Sequence, residues 1–145
     1  MNRLVPYLTF NGNCREAMTF YQSCLGGELN FQTIGESPLT ESMPAKMKNC
    51  ILFASLKTNL MHLMATDMAP DTGLIKGNTI SLLLPCPDEE TLLSLHSQLK
   101  PRNKKVNPTR NHEGGLIVQF TDKFGVQWFL NSNAFTLKKE GESAI

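Results

Sequence analysis

Residues 5–27, VPYLTFNGNCREAMTFYQSCLGG, read as a strand, a turn, a helix and a stop, and this unit sets the plan for the rest of the chain. Val5 to Phe10 is rich in β-branched and aromatic residues, which suit a half-buried pleated surface. Asn11-Gly12-Asn13 ends the strand, because Gly and Asn tolerate positive φ. Asn13 is expected to cap the next helix with its side-chain oxygen while Glu16 reaches back, a capping box. Cys14, Ala17, Met18, Tyr21 and Leu25 recur at helical spacing and give that helix one apolar face. Gly26-Gly27 then closes it as a left-handed cap would.

The pattern continues outward. Glu28 to Ile34 reads as a strand with Leu29, Phe31 and Thr33 on one face and Asn30 and Gln32 on the other. Glu36 to Asn49, carrying Pro38, Pro44 and two methionines, is a loop long enough for a lid or a partner contact. Cys50 to Leu56 and Leu60 to Ala65 are apolar strands joined by Lys57-Thr58-Asn59, an antiparallel hairpin. Asp67 to Gly77 is turn-rich and forms the internal boundary. Beyond it, Asn78 to Leu84 is a strand, and Asp88 caps a helix with Leu92, Leu95 and Leu99 on one face and Pro101 at its end. Lys104 to Arg110 is a polar strand interrupted by Pro108, which suits an edge. Leu116 to Thr121 and Val126 to Asn131 are the last two strands, with Asp122 to Gly125 turning between them, and the tail from Ser132 is polar.

Each half is therefore strand, helix and three strands, an internal repeat. The expected class is α+β within a single domain, residues 1–145: a first βαβββ module at 4–72, a second at 78–132 and a polar tail at 133–145. Two such modules are expected to build one curved mixed sheet with the helices outside and a concave inner cavity, a ready ligand site.

Composition narrows the function. Net charge is +1 and no Lys/Arg run exceeds two residues, so neither nucleic acid nor an anionic membrane is an expected partner. No apolar run is long enough to span a bilayer and the N-terminus lacks signal-peptide regions, so the expected location is cytoplasmic. Cys14, Cys24, Cys50 and Cys86 form no CxxC and no zinc spacing, and read as structural thiols. No GxGxxG or GxxxxGK[ST] run is present, so no nucleotide cofactor is expected.

Three stretches resemble the PhnB-like branch of the vicinal oxygen chelate superfamily, which includes glyoxalase I, bleomycin- and fosfomycin-resistance proteins and extradiol dioxygenases. They are PYLTFNGNCREAMTFYQSCLGGEL at Pro6 to Leu29, LMATDMAP at Leu63 to Pro70, and TDKFGVQWFLN at Thr121 to Asn131. The resemblance implies paired βαβββ modules, a U-shaped sheet around a cavity, and a homodimer. It also implies, for catalytic members, a divalent ion held by His or Glu from the first and last strand of each module. Those positions fall here on Pro6, on His62 or Leu63, on Ser81 and on Phe129. Pro and Phe do not ligate through their side chains and Ser does so poorly, so no metal is expected. Some PhnB-like proteins carry a methyltransferase name, but this sequence has no glycine-rich strand-to-helix loop of a cofactor-binding α/β domain.

The candidate ligand-binding residues are thus Pro6, His62, Leu63, Ser81, Trp128 and Phe129, with no catalytic residue and no cofactor assigned. Trp128 and Phe129 are adjacent on a strand, so one faces the cavity and the other does not. His62 reads as a cavity or core histidine in preference to a ligand or general base. His112-Glu113 reads as a solvated loop tip, and His96 as bordering the packing face of its helix. The expected function is metal-independent binding of an unidentified small molecule. The alternatives are a divalent-metal lyase, isomerase or dioxygenase of glyoxalase type using His62, and a dimeric interaction module with a vestigial cavity.

Overall fold

The computed structural model describes residues 3–132. Its contacts divide the chain into two units, Met1–Ile75 and Lys76–Ile145. The first holds β1 (Tyr7–Thr9), α1 (Cys14–Leu25), β2 (Glu28–Thr33), β3 (Ile51–Lys57) and β4 (His62–Thr66). The second holds β5 (Leu82–Pro85), α2 (Glu89–Leu99), β6 (Thr109–Arg110), β7 (Leu116–Thr121) and β8 (Gln127–Asn131).

The repeat is exact at the level of topology. The strands pair in two four-stranded mixed sheets, β1-β4-β3-β2 and β5-β8-β7-β6, so each module contributes its own sheet and the ladders do not run on as the one sheet expected. In both, the first and last strands of the module pair parallel and the remaining pairs are antiparallel. This is an α+β architecture with one helix against each sheet.

In the first unit α1 lies across β3, with β2 and β4 beside it. Cys14, Ala17, Met18 and Tyr21, the helical stripe, are buried together with Ala54, Leu56, Leu63 and Ala65 from alternate positions of β3 and β4. In the second, α2 packs on β7 and β8. Leu92, His96 and Leu99 are buried there, along with Val118, Phe120, Trp128 and Leu130. Each large apolar side chain so enclosed contributes roughly 1.5–3 kcal/mol before entropy is counted. His96 does not merely border this face; it lies within it, its ring 5.1 Å from that of Phe120.

Other expectations are corrected. Asn13 makes no side-chain cap. The start of α1 is held instead by Asp67, whose Oδ1 accepts from the N–H groups of Gly12 (3.0 Å) and Cys14 (2.9 Å). Its Oδ2 accepts from Ile51 N–H at the head of β3 (2.9 Å). A carboxylate at a helix N-terminus also meets the positive end of the helix dipole, so one distant residue does what a local cap was expected to do. Asp88 does cap α2 as read, accepting from Thr91 N–H at 2.7 Å.

Segment 36–49, read from sequence as a loop, is built on short helical turns. Three short 3₁₀ turns, Ile34–Glu36, Pro38–Glu41 and Ala45–Met47, run through it, the first closed by a capping box between Thr33 and Glu36. β5 begins only at Leu82 and β6 has two residues, because 78–81 and 104–108 lack ladder partners in the described structure. Ser132, where the polar tail was expected to begin, is buried, and its hydroxyl accepts from Leu116 N–H at 2.8 Å. Residues 133–145, the rest of that expected tail, lie outside the described residues.

Candidate functional site

Because side chains alternate along a strand, each sheet has one face on its helix and one turned away from it. In the first unit the ladder register sets Tyr7 beside Met64, Met64 beside Ser55 and Ser55 beside Asn30, all on the face turned away from α1. The neighbouring row on that face is His62, Lys57 and Glu28. Ser55 Oγ and His62 Nε2, diagonal to one another, are 2.8 Å apart. Both residues are half-buried. Partial burial, then the charges of Lys57 and Arg3, lower the His62 pKa below the ordinary imidazole value, so the ring is neutral at neutral pH.

In the second unit the corresponding face carries Leu83, Phe129 and Gln119 in one row and Gln127 and Thr121 in the next. Ser81, one residue before β5, joins them through hydrogen bonds. The Gln119 amide donates to Ser81 Oγ (3.1 Å), Ser81 Oγ donates to Gln127 Oε1 (3.4 Å), and the Gln127 amide donates to the Gly77 carbonyl (3.1 Å). The result is an uncharged face: an aromatic ring and an exposed leucine beside a chain of amides and a hydroxyl.

The six residues singled out from sequence divide accordingly. His62 lies on the away face of the first sheet, and Ser81 and Phe129 share that of the second. Leu63 and Trp128 belong to the helix-side cores, at 4% and 2% exposure. Of the two adjacent pairs left open, it is therefore His62 and Phe129 that point away from the helices. Trp128 is fixed further by its indole N–H, which donates to the buried carboxylate of Asp122 at 2.9 Å. Pro6 precedes β1 and offers its carbonyl, which accepts from Met64 N–H at 2.9 Å, while alternation puts Tyr7 on the away face in its place. Tyr7, Ser55 and Gln119 were not singled out, although strict period-two counting from Leu8, Leu56 and Val118 finds each of them.

The metal of the catalytic superfamily members does not fit this donor set. Among the described residues no group of three or more His, Cys, Asp or Glu side chains is gathered as a cation would need. His62 has Lys57 as its cross-strand neighbour, and Glu28 lies one strand further on, roughly 10 Å from the imidazole strand. Lys57, the residue between them in the ladder, carries a positive charge that opposes a divalent ion. His112 and Glu113 are together at 3.8 Å, but both are exposed on a loop.

Neither Cys14 nor Cys86 is a ready nucleophile, since burial pushes the Cys14 thiol up to about 12 and raises that of Cys86 as well. Among the described residues no helix is long and apolar enough to cross a membrane.

Comparison with known proteins follows the fold closely. Residues 2–131 match the family described as 3-demethylubiquinone-9 3-methyltransferase. Protein YjdN of Escherichia coli K12 is 30% identical over 141 residues, covering 88% of this chain and 93% of that one. Protein PA1353 of Pseudomonas aeruginosa is also 30% identical, with a TM-score of 0.73 over 92% of this chain and 98% of its own. A bleomycin-binding protein solved with bleomycin, 16% identical, superposes with a TM-score of 0.54 over 92% of this chain and 99% of its own.

Proposed function

The chain belongs to the family described as 3-demethylubiquinone-9 3-methyltransferase and has the fold of the glyoxalase/bleomycin resistance/dioxygenase superfamily, and from that premise we propose that it binds a small molecule without a resident metal. The observation that carries this reading is the donor set: Tyr7, His62, Ser81 and Phe129 stand on the away faces where catalytic relatives would need several ligating side chains. A protein of the same fold solved in complex with bleomycin supports small-molecule binding as the reading for this chain. Methyl transfer is not part of the proposal. Both sheets are mixed and neither presents the glycine-rich strand-to-helix loop of a doubly wound cofactor domain.

The ligand class follows from the side chains offered. On the away face of the second sheet, Phe129 and Leu83 favour an apolar or aromatic body, and the Ser81 and glutamine chain gives one or two orienting hydrogen bonds. The protein acts as a homodimer in the cytoplasm, and light scattering at micromolar concentration is expected to give twice the chain mass of 16.2 kDa. Elemental analysis of protein purified without a histidine tag tests the main reading. No stoichiometric Zn, Ni, Mn or Fe is expected, and thermal-shift screening of aromatic amides and phenols against apo protein is expected to yield hits that Phe129→Glu loses. One tightly held metal ion per chain overturns the proposal.

A further inference from the structure

We propose that Ser55 and His62 form a base-activated serine on the away face of the first sheet, able to attack carboxylic esters and related acyl groups. The antiparallel register of β3 and β4 sets Ser55 opposite Met64 and His62 opposite Lys57, which makes serine and histidine diagonal neighbours on one face. Their 2.8 Å separation is that of a nucleophile and its base. With the proton on Nδ1, Nε2 presents a lone pair to the hydroxyl, the tautomer that general-base catalysis needs. Both residues are half-buried, so neither is sealed within a core.

The surroundings suit an acyl substrate. Lys57, across the ladder from His62, and Arg3, whose charge is felt at the imidazole, supply positive potential where a carbonyl oxygen would gain negative charge. Met64 beside Ser55, and Tyr7 beside Met64, form a strip for the apolar part of an acyl or aryl group. In the first step Ser55 Oγ bonds to the carbonyl carbon, its proton passes to His62 Nε2, and the carbon–oxygen bond to the leaving alcohol breaks as the imidazolium returns that proton to it. Water completes the turnover: His62 takes a proton from it, hydroxide adds to the acyl carbon, and Ser55 Oγ leaves and is reprotonated.

This activity stands apart from the binding reading, because a reactive serine is detected by a probe that does not resemble the ligand. The full chain is incubated at pH 8 with an alkyl fluorophosphonate and the adduct is located by peptide mass spectrometry. One adduct on Ser55 is expected, absent in Ser55→Ala and slowed about a hundredfold in His62→Gln. Added imidazole is expected to restore labelling of Ser55 in His62→Ala, an effect that a structural hydrogen bond would not show. An unlabelled Ser55 in the wild-type chain overturns the proposal, as does an undiminished rate in His62→Gln. Neither result bears on ligand binding, which the thermal-shift screen reads independently.

Discussion

Asp67 shows how much one side chain can hold. Three backbone N–H groups from 16 to 55 residues upstream end on its carboxylate, and it is itself only 9% exposed. Asp67→Ala would strand those donors in a dry environment, and a loss on the order of 3–5 kcal/mol in urea-unfolding free energy is expected. Ser132 occupies the equivalent place in the second unit with a single accepted bond, so Ser132→Ala should cost only about 1 kcal/mol in the same measurement. His96 makes a different kind of prediction. Its Nε2 is buried with no hydrogen-bond partner among the described residues, and burial, then the charge of Lys100, lower its pKa below the ordinary 6.5. The folded chain therefore binds this proton less well than the unfolded chain. The contribution of this group to stability is complete above pH 6.5 and is lost as pH falls from there towards the depressed folded value. His96→Leu is expected to flatten that part of a stability profile measured between pH 7 and pH 5.

At the scale of elements, local signals located both helices, and tertiary contacts decided how they end. The stripe of Cys14, Ala17, Met18 and Tyr21 is legible because helical period and burial agree, and Asp88 is legible because its cap is three residues from its partner. The cap of α1 was not, since a residue 53 positions away carries no local mark. The glycine stop conceals a similar division of labour. Gly26 closes α1 with its N–H on the Gln22 carbonyl, but at φ +74° and ψ −167° it is not the left-handed cap expected; a Cβ there would meet open space yet sit on a backbone that L side chains rarely adopt. Gly27 has φ +99° and a Cβ on it would stand 2.4 Å from the Lys57 carbonyl oxygen, at the point where β2 meets β3. Gly26→Ala should cost about 1–3 kcal/mol from backbone strain alone, and Gly27→Ala more than that in thermal unfolding because a clash adds to the strain, although the two residues look interchangeable in sequence. β6 was overestimated for the complementary reason. Thr109 and Arg110 alone pair with β7, and the Arg110 guanidinium is tied to Glu89 of α2 and to the Gly114 carbonyl.

For the whole molecule, the repeat was readable and the site only partly so. Strand-helix-strand order survives in the hydrophobic periods of both halves, whereas the functional face depends on which of two adjacent residues points away from a helix. Trp128 is the one that turns to the helix-side core, where it is buried and held by the Asp122 carboxylate, and Phe129 is left on the other face. Phe129→Glu, replacing a half-buried ring beside Leu83, should lower unfolding free energy by about 1–2 kcal/mol, and an unchanged value would mean that the ring packs against nothing. The twin topology also has a consequence in time. β1 has β4 as its sole ladder neighbour among the described residues, with Tyr7 waiting for Met64, and β5 likewise waits for β8. On the ribosome, then, each module begins with the strand that must wait longest, and neither sheet can be completed until its last strand has emerged from the exit tunnel.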